Sequence, residues 1–283
     1  INYYGKKSET FISDEIEFLS SQKDIDLTIL HYGKDIPEKK VIGLYFESNF
    51  IKRWLKAVRK FDVKMFAALR YKNGLNGSLV SLIPFFKENR FDTIYCHFGT
   101  NGKLIAELKE LKVIPKGTKL VVRFHGLDMN FTQYPVGFYD ILNSYADEIL
   151  LGSQFAYKDL RTYRLNKEKL NQLPVGIMRK NISKESSDFQ PEQFNIISVG
   201  RLIELKGYMV ALDIINEINK RSINFTYTII GDGPQYDILS EVIERYALQN
   251  KVRIIKSLDH ANVLDILKKT QIYLYPGIRD HTG

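Results

Sequence analysis

The sequence predicts two α/β domains in series, each built on a parallel sheet. Three observations carry this: a length of 283 residues, short apolar runs alternating with helix-period segments, and one polar break. The length accommodates two ordinary domains. Strands alternating with helices point to sheets assembled from βαβ units. The break at 181–193 is polar, contains Pro191 and has little to bury, so it reads as a linker. The domains are therefore 1–180 and 194–283.

In chain order, Ser8 to Phe11 reads as a helix start. Ser8 suits the N-cap, Glu9 follows it, Gly5 precedes it, and Ile12, Ile16 and Leu19 continue at helical spacing. Strand candidates follow at Leu27–Leu30, Thr93–Phe98, Leu120–Phe124 and Glu148–Leu151. The second domain offers Asn195–Val199, Thr226–Ile230, Val252–Ile255 and Ile272–Tyr275. Val210, Ile214 and Ile218 mark a helix after the first of these. No complete strand precedes the first helix, and the second domain holds about four strands. The expectation is a piece of a longer protein, incomplete at both ends.

Composition narrows the function classes. No stretch approaches the roughly 18 apolar residues of a membrane-spanning helix, and INYYGKKSETF holds no apolar signal segment. A lone cysteine, Cys96, excludes an internal disulfide and fits a reducing, cytoplasmic setting. The net charge of +8 is uneven: residues 1–187 hold 30 Lys/Arg against 21 Asp/Glu, and 188–283 hold 11 against 12. Between Lys52 and Lys72 eight basic residues face one acid, Asp62, with Ile51, Trp54, Leu55, Val58, Phe61, Met65 and Leu69 in helical register. That profile suits an interfacial helix on an anionic membrane, and equally a core-packed helix with a solvated basic face. Nucleic acid is disfavoured, because the aromatic residues lie in the strands and are not interleaved with the basic run.

In open parallel sheets ligands bind beyond the carboxyl ends of the strands, so the loops there are where chemistry is expected. ISVGRLIELKG, Ile197 to Gly207, carries an apolar strand into Gly200, then Arg201, Lys206 and a helix start. Free backbone N–H groups and the helix dipole favour an anion at such a terminus. Arg201 adds a planar fork for phosphate oxygens and Lys206 a point charge, enough to neutralise a diphosphate without a metal ion. The same pair on a solvated turn is the plainer reading. The next strand ends in GDGP, Gly231 to Pro234: Gly231 and Gly233 allow close backbone approach, and Pro234 suits the first helical position. In the first domain one strand ends in HGLD, His125 to Asp128, and another in His97-Phe98-Gly99. His125 could bond a substrate or move a proton, or could simply be satisfied in the core, and the two histidines together could suggest a metal site. No third ligand stands at a metal-binding spacing.

SETFI, HGLD, SVGRL-x3-KG and GDGP, in that order, resemble glycosyltransferase family 4, closest to the bacterial exopolysaccharide and colanic-acid-type transferases. The resemblance implies the GT-B fold, two Rossmann-like domains facing a cleft, the first on the acceptor side and the second on the donor side. It implies a metal-independent retaining hexosyltransferase with no cofactor, using a UDP-, GDP- or ADP-linked sugar and a glycan or lipid-linked acceptor. Arg201 and Lys206 would hold the diphosphate with Gly200, Gly207, Gly231 and Gly233, and His125 would sit beside the transferred sugar. Lys256, Ser257 and Leu258 would border the nucleobase; Gly5, Ser8, Glu9, Thr10, His97 and Asp128 would line the acceptor side. The family's E-x7-E element would lie beyond Gly283, and Lys256 stands where relatives often carry glycine. A GT-B sugar-nucleotide epimerase or hydrolase, and a non-catalytic basic protein on a membrane surface, are the alternative readings.

Overall fold

The computed structural model describes residues 10–36, 40–44, 62–69, 76–129, 133–154, 163–176 and 192–277, with isolated positions 52, 55, 58, 156 and 160. The chain divides into two compact units at Gly176, near the expected break. Residues 181–191 of the expected linker lie outside the described residues.

The first unit contains a four-stranded parallel sheet, β3 (Thr93–His97), β4 (Lys119–Arg123), β5 (Glu148–Leu151) and β6 (Leu170–Gln172), in that order. A separate parallel pair joins β1 (Ile29–His31) to β2 (Val41–Gly43). Helices α1 (Thr10–Ser20), α2 (Val63–Leu69), α3 (Asn76–Glu88), α4 (Gly99–Glu110) and α5 (Ile141–Tyr145) accompany these strands. Ile12 and Ile16, one turn apart, bury the α1 face against Ile29, Val41 and Phe98. The main core joins Leu79, Ile83 and Phe86 of α3 to Leu104 and Leu108 of α4, over Leu120, Val122, Ile149 and Leu151.

The second unit is a parallel sheet of order β10-β7-β8-β9, formed by β7 (Phe194–Val199), β8 (Phe225–Ile230), β9 (Val252–Ile255) and β10 (Ile272–Tyr273). Its helices are α6 (Tyr208–Lys220), α7 (Tyr236–Arg245) and α8 (His260–Lys268). The expected α6 is present, but its packed face is Tyr208, Ala211, Leu212 and Ile215. Val210 and Ile214, the spacing that announced the helix, are 47% and 38% exposed. The face is chosen by larger burial: filling the core with Leu212 and Ile215 is worth roughly 1.5–3 kcal/mol each.

All eight expected strands occur, with small shifts at their ends; β2 and β6 are additional. Most of the basic run at 51–72 lies outside the described residues. Within α2, Met65 and Ala68 are fully buried, and Asp62 just before it pairs with Lys87 at 2.6 Å. Among the described residues no helix is long and apolar enough to cross a membrane.

Candidate functional site

The second unit presents its glycines and cations at the ends of β7, β8 and β9. β7 runs through Ile196, Ile197 and Ser198, all buried, and stops at Gly200. Ser198 Oγ bonds the Tyr227 hydroxyl at 2.7 Å and the Leu274 carbonyl, tying the strand end to both neighbours. Leu202 is fully buried and pins the loop: its N–H donates to Asp232 O at 2.9 Å, and its carbonyl accepts from Gln235 N–H at 3.1 Å. Arg201 and Lys206 therefore project from a loop held by its own backbone.

A 3₁₀ turn, Glu204–Lys206, leads to Gly207 at φ 68°, and α6 begins at Tyr208. The helix thus starts two residues later than Lys206. Gly207 is obligatory on two counts. Its left-handed φ disfavours any side chain, and a Cβ there would lie 2.2 Å from the Pro276 carbonyl oxygen. The N-cap of α6 is Gly207, which has no side chain to cap it, and a helix terminus of this kind favours an anion. Lys206 Nζ donates to the Tyr275 hydroxyl at 2.9 Å and lies 5.2 Å from that ring's centroid. Arg201 is exposed.

Gly231 follows β8, and a Cβ there would stand 1.8 Å from the Gly200 carbonyl oxygen; the two glycine loops are in backbone contact. Pro234 does not open α7, as its sequence position suggested. Asp232 turns back to accept from Gly233 N–H at 2.8 Å, and the helix starts at Tyr236 after Gln235. Lys256, exposed after β9, places Nζ 3.8 Å from the Tyr236 ring centroid, a cation–π contact. Ser257 is exposed and Leu258 half-buried beside it.

The first unit gathers a different set at the ends of β3 and β4. Parallel register sets His97 opposite Arg123. Arg123 is 4% exposed, and its Nη1 donates to both Glu15 oxygens at 3.0 and 2.8 Å. Its Nη2 donates to the Leu173 and Pro174 carbonyls. The Tyr95 hydroxyl donates to Glu15 at 2.7 Å. His97 Nε2 lies 3.8 Å from Glu15, and its Nδ1 lies 3.2 Å from His125 Nε2, the two rings within 7° of parallel and meeting edge to edge. Phe11 and Phe98 wall the His125 ring at 5.1 and 4.8 Å.

Burial, and then the neighbouring His125 ring and the Arg123 charge, pull His97 down to about 3. Burial and Arg123 pull His125 down to about 4. Both rings are therefore neutral near pH 7. The loop after His125 closes on Asp128, whose carboxylate accepts from His125 N–H at 2.8 Å and from Gly99 N–H. Burial raises Asp128 to about 7 against those two bonds.

The expected residues thus fall into two sets, each at the strand ends of its own unit. Gly200, Arg201, Lys206, Gly207, Gly231, Gly233 and Lys256 gather in the second; His97, His125 and Asp128 gather in the first. His97 and Asp128 were expected to line a cleft; each is 2% exposed, His97 with its edge against the His125 ring and Asp128 inside the loop whose His125 N–H it accepts. Thr10 opens α1, whereas Gly5, Ser8 and Glu9 lie outside the described residues. The sequence reading missed Glu15, Tyr95, Arg123 and Tyr275. A charged residue inside LVVRF was the available signal for Arg123. Among the described residues no group of three or more His, Cys, Asp or Glu could hold a metal ion.

Residues 179–283 match the family model for glycosyl transferases group 1. The chain is 29% identical over 204 residues to the colanic acid biosynthesis glycosyltransferase WcaL of Escherichia coli K12, covering 69% of this chain and 48% of WcaL. It is 28% identical over 195 residues to the amylovoran biosynthesis glycosyltransferase AmsK of Erwinia amylovora, covering 68% and 47%. The chain spans about half the length of these curated relatives. Anabaena HepE, solved with UDP-glucose, shares the fold at a TM-score of 0.68 and 13% identity, over 98% of this chain and 72% of HepE. Residues 179–283 thus resemble a glycosyl transferases group 1 domain, and the chain shares the two-unit α/β fold of HepE.

Proposed function

We propose that this protein is a retaining glycosyltransferase of surface polysaccharide synthesis, moving a sugar from a nucleoside diphosphate onto a glycan or lipid-linked acceptor. The observation that carries the reading is the loop Gly200–Gly207, which carries Arg201 and Lys206 and leads through Gly207 into the terminus of α6. Three sources of positive potential at one strand end suit two linked phosphates. The relatives named for colanic acid and amylovoran synthesis support the pathway class, and the UDP-glucose held by HepE supports a nucleotide sugar.

In this reading the bond between the anomeric carbon and the phosphate oxygen breaks while the acceptor oxygen bonds that carbon on the same face. The acceptor's proton passes to the departing phosphate. Arg201 and Lys206 stabilise the charge that grows on the leaving group, which is where electrostatic catalysis acts most strongly. The two cations serve this purpose without a metal ion. Neutral His125 hydrogen-bonds the transferred sugar, and Lys256 with Tyr236 borders the base.

The test is product analysis after incubation with UDP-, GDP- and ADP-sugars and a lipid-linked glycan extract. Acceptor-dependent transfer that retains the anomeric configuration is expected. Epimerised or hydrolysed sugar without acceptor dependence would replace this reading with the epimerase or hydrolase.

A further inference from the structure

The buried polar groups of the first unit form a line from α1 to His125, and the line has a direction. Glu15 is fixed at one end by Arg123 and Tyr95. His97 follows, with Nε2 toward the carboxylate at 3.8 Å and Nδ1 toward His125 at 3.2 Å. His125 is the last member, and its ring is held between Phe11, Phe98 and His97.

Two neutral imidazoles sharing one hydrogen bond have only two proton arrangements. If His97 carried its proton on Nδ1, its Nε2 lone pair would face the Glu15 carboxylate, two negative ends opposed in a buried site. With the proton on Nε2, the positive N–H end is the one nearest the carboxylate and Nδ1 becomes an acceptor. His125 must then donate from Nε2, leaving Nδ1 as the accepting nitrogen of its ring. The choice made at Glu15 is passed on through His97.

We propose that His97 is a positioning residue: with Glu15 it fixes His125 as the Nε2–H tautomer, which offers Nδ1 to a hydroxyl of the transferred sugar. The role given to the sugar rests on the glycosyltransferase reading; the tautomer does not. Partners that orient a metal-ligating imidazole and set its tautomer typically change metal affinity or activity by about 10- to 100-fold when removed, and a loss of that order is expected here.

The test is nitrogen-15 NMR of histidine-labelled protein without substrate. The sequence holds five histidines, so a substitution at each assigns the spectrum. The wild type is expected to show His125 protonated on Nε2 and bare on Nδ1; the opposite tautomer would overturn the proposal. In His97→Phe, which keeps an aromatic ring beside His125 but removes its nitrogens, His125 is expected to become a mixture, and an unchanged single tautomer would also overturn the proposal. Glu15→Gln, which removes the charge but keeps the shape, is expected to weaken the preference, so the proposal stays testable if His97→Phe fails to fold. In turnover assays His97→Phe should lower kcat about 10- to 100-fold with KM for the donor little changed. Full turnover by His125→Ala would remove the role assigned to His125 in transfer while leaving the tautomer result standing.

Discussion

The two strand-end sites are built in opposite ways. In the first unit the polar groups are buried and engage one another, with Arg123 4% exposed and His97 2% exposed. In the second unit Arg201 and Lys256 are exposed and Lys206 half-buried, and the rigidity lies in the backbone, set by glycines and by Leu202. The two designs respond differently to substitution. A buried network is coupled to stability, because removing one member strands the others in low dielectric. An open cationic loop has little to lose on folding and much to gain from a ligand.

The largest effect should follow from breaking the buried side. Glu15→Ala leaves Arg123 without its carboxylate and should destabilise the protein by about 3–5 kcal/mol in chemical unfolding. A loss below about 1 kcal/mol, the usual value of an exposed pair, would show that the network is open to water. Next comes the backbone of the open side. Gly207→Ala puts a Cβ against Pro276 O at a left-handed φ and should cost roughly 1–3 kcal/mol or more. A neutral result would mean that the loop tolerates movement and is not a fixed cradle.

Acid sharpens the comparison. The folded values of His97 and His125, about 3 and about 4, lie below the ordinary 6.5. Their neutral forms therefore stabilise the fold fully above pH 6.5, and that contribution is lost as pH falls through 6.5 toward 4. Asp128 works the other way. Raised from 3.8 to about 7, it holds a proton in the folded state that the unfolded chain has released, so its contribution is present below 3.8 and lost as pH rises through 7. The melting temperature should fall between pH 6.5 and pH 5, and should fall more steeply in Asp128→Asn, which lacks the opposing group. Equal slopes in the two proteins would place the Asp128 carboxyl in contact with solvent. The smallest effect belongs to Tyr275→Phe, which keeps the ring under Lys206 and removes the 2.9 Å bond. It should change nucleotide affinity by about 0.5–1.5 kcal/mol in calorimetry, and no change would make Tyr275 a bystander.

Local features of the sequence announced much of this. Apolar runs located the strands, and glycines beside Arg201 and Lys206 located the cationic loop, because those signals act over a few residues. The buried relay did not show. Glu15 and Arg123 lie 108 positions apart, and nothing local connects a glutamate on an amphipathic helix to an arginine in an apolar strand. β6, Leu170–Gln172, was hidden for another reason: one buried leucine followed by two exposed polar residues has no strand pattern, and pairing with β5 alone makes it one. The packed face of α6 was obscured because its helix carries apolar residues on both sides.

The account rests on the second unit gripping a diphosphate, and calorimetric titration of the protein with UDP, GDP and ADP tests that most directly. One nucleotide should bind, and Arg201→Ala and Lys206→Ala should each weaken it about 10- to 100-fold, the value of a charge-assisted hydrogen bond. The unfolding free energy of Arg201→Ala should stay within about 0.5 kcal/mol of wild type, as expected for an exposed side chain. Unchanged affinity in both variants, or no binding of any of the three by the wild type, would contradict the account.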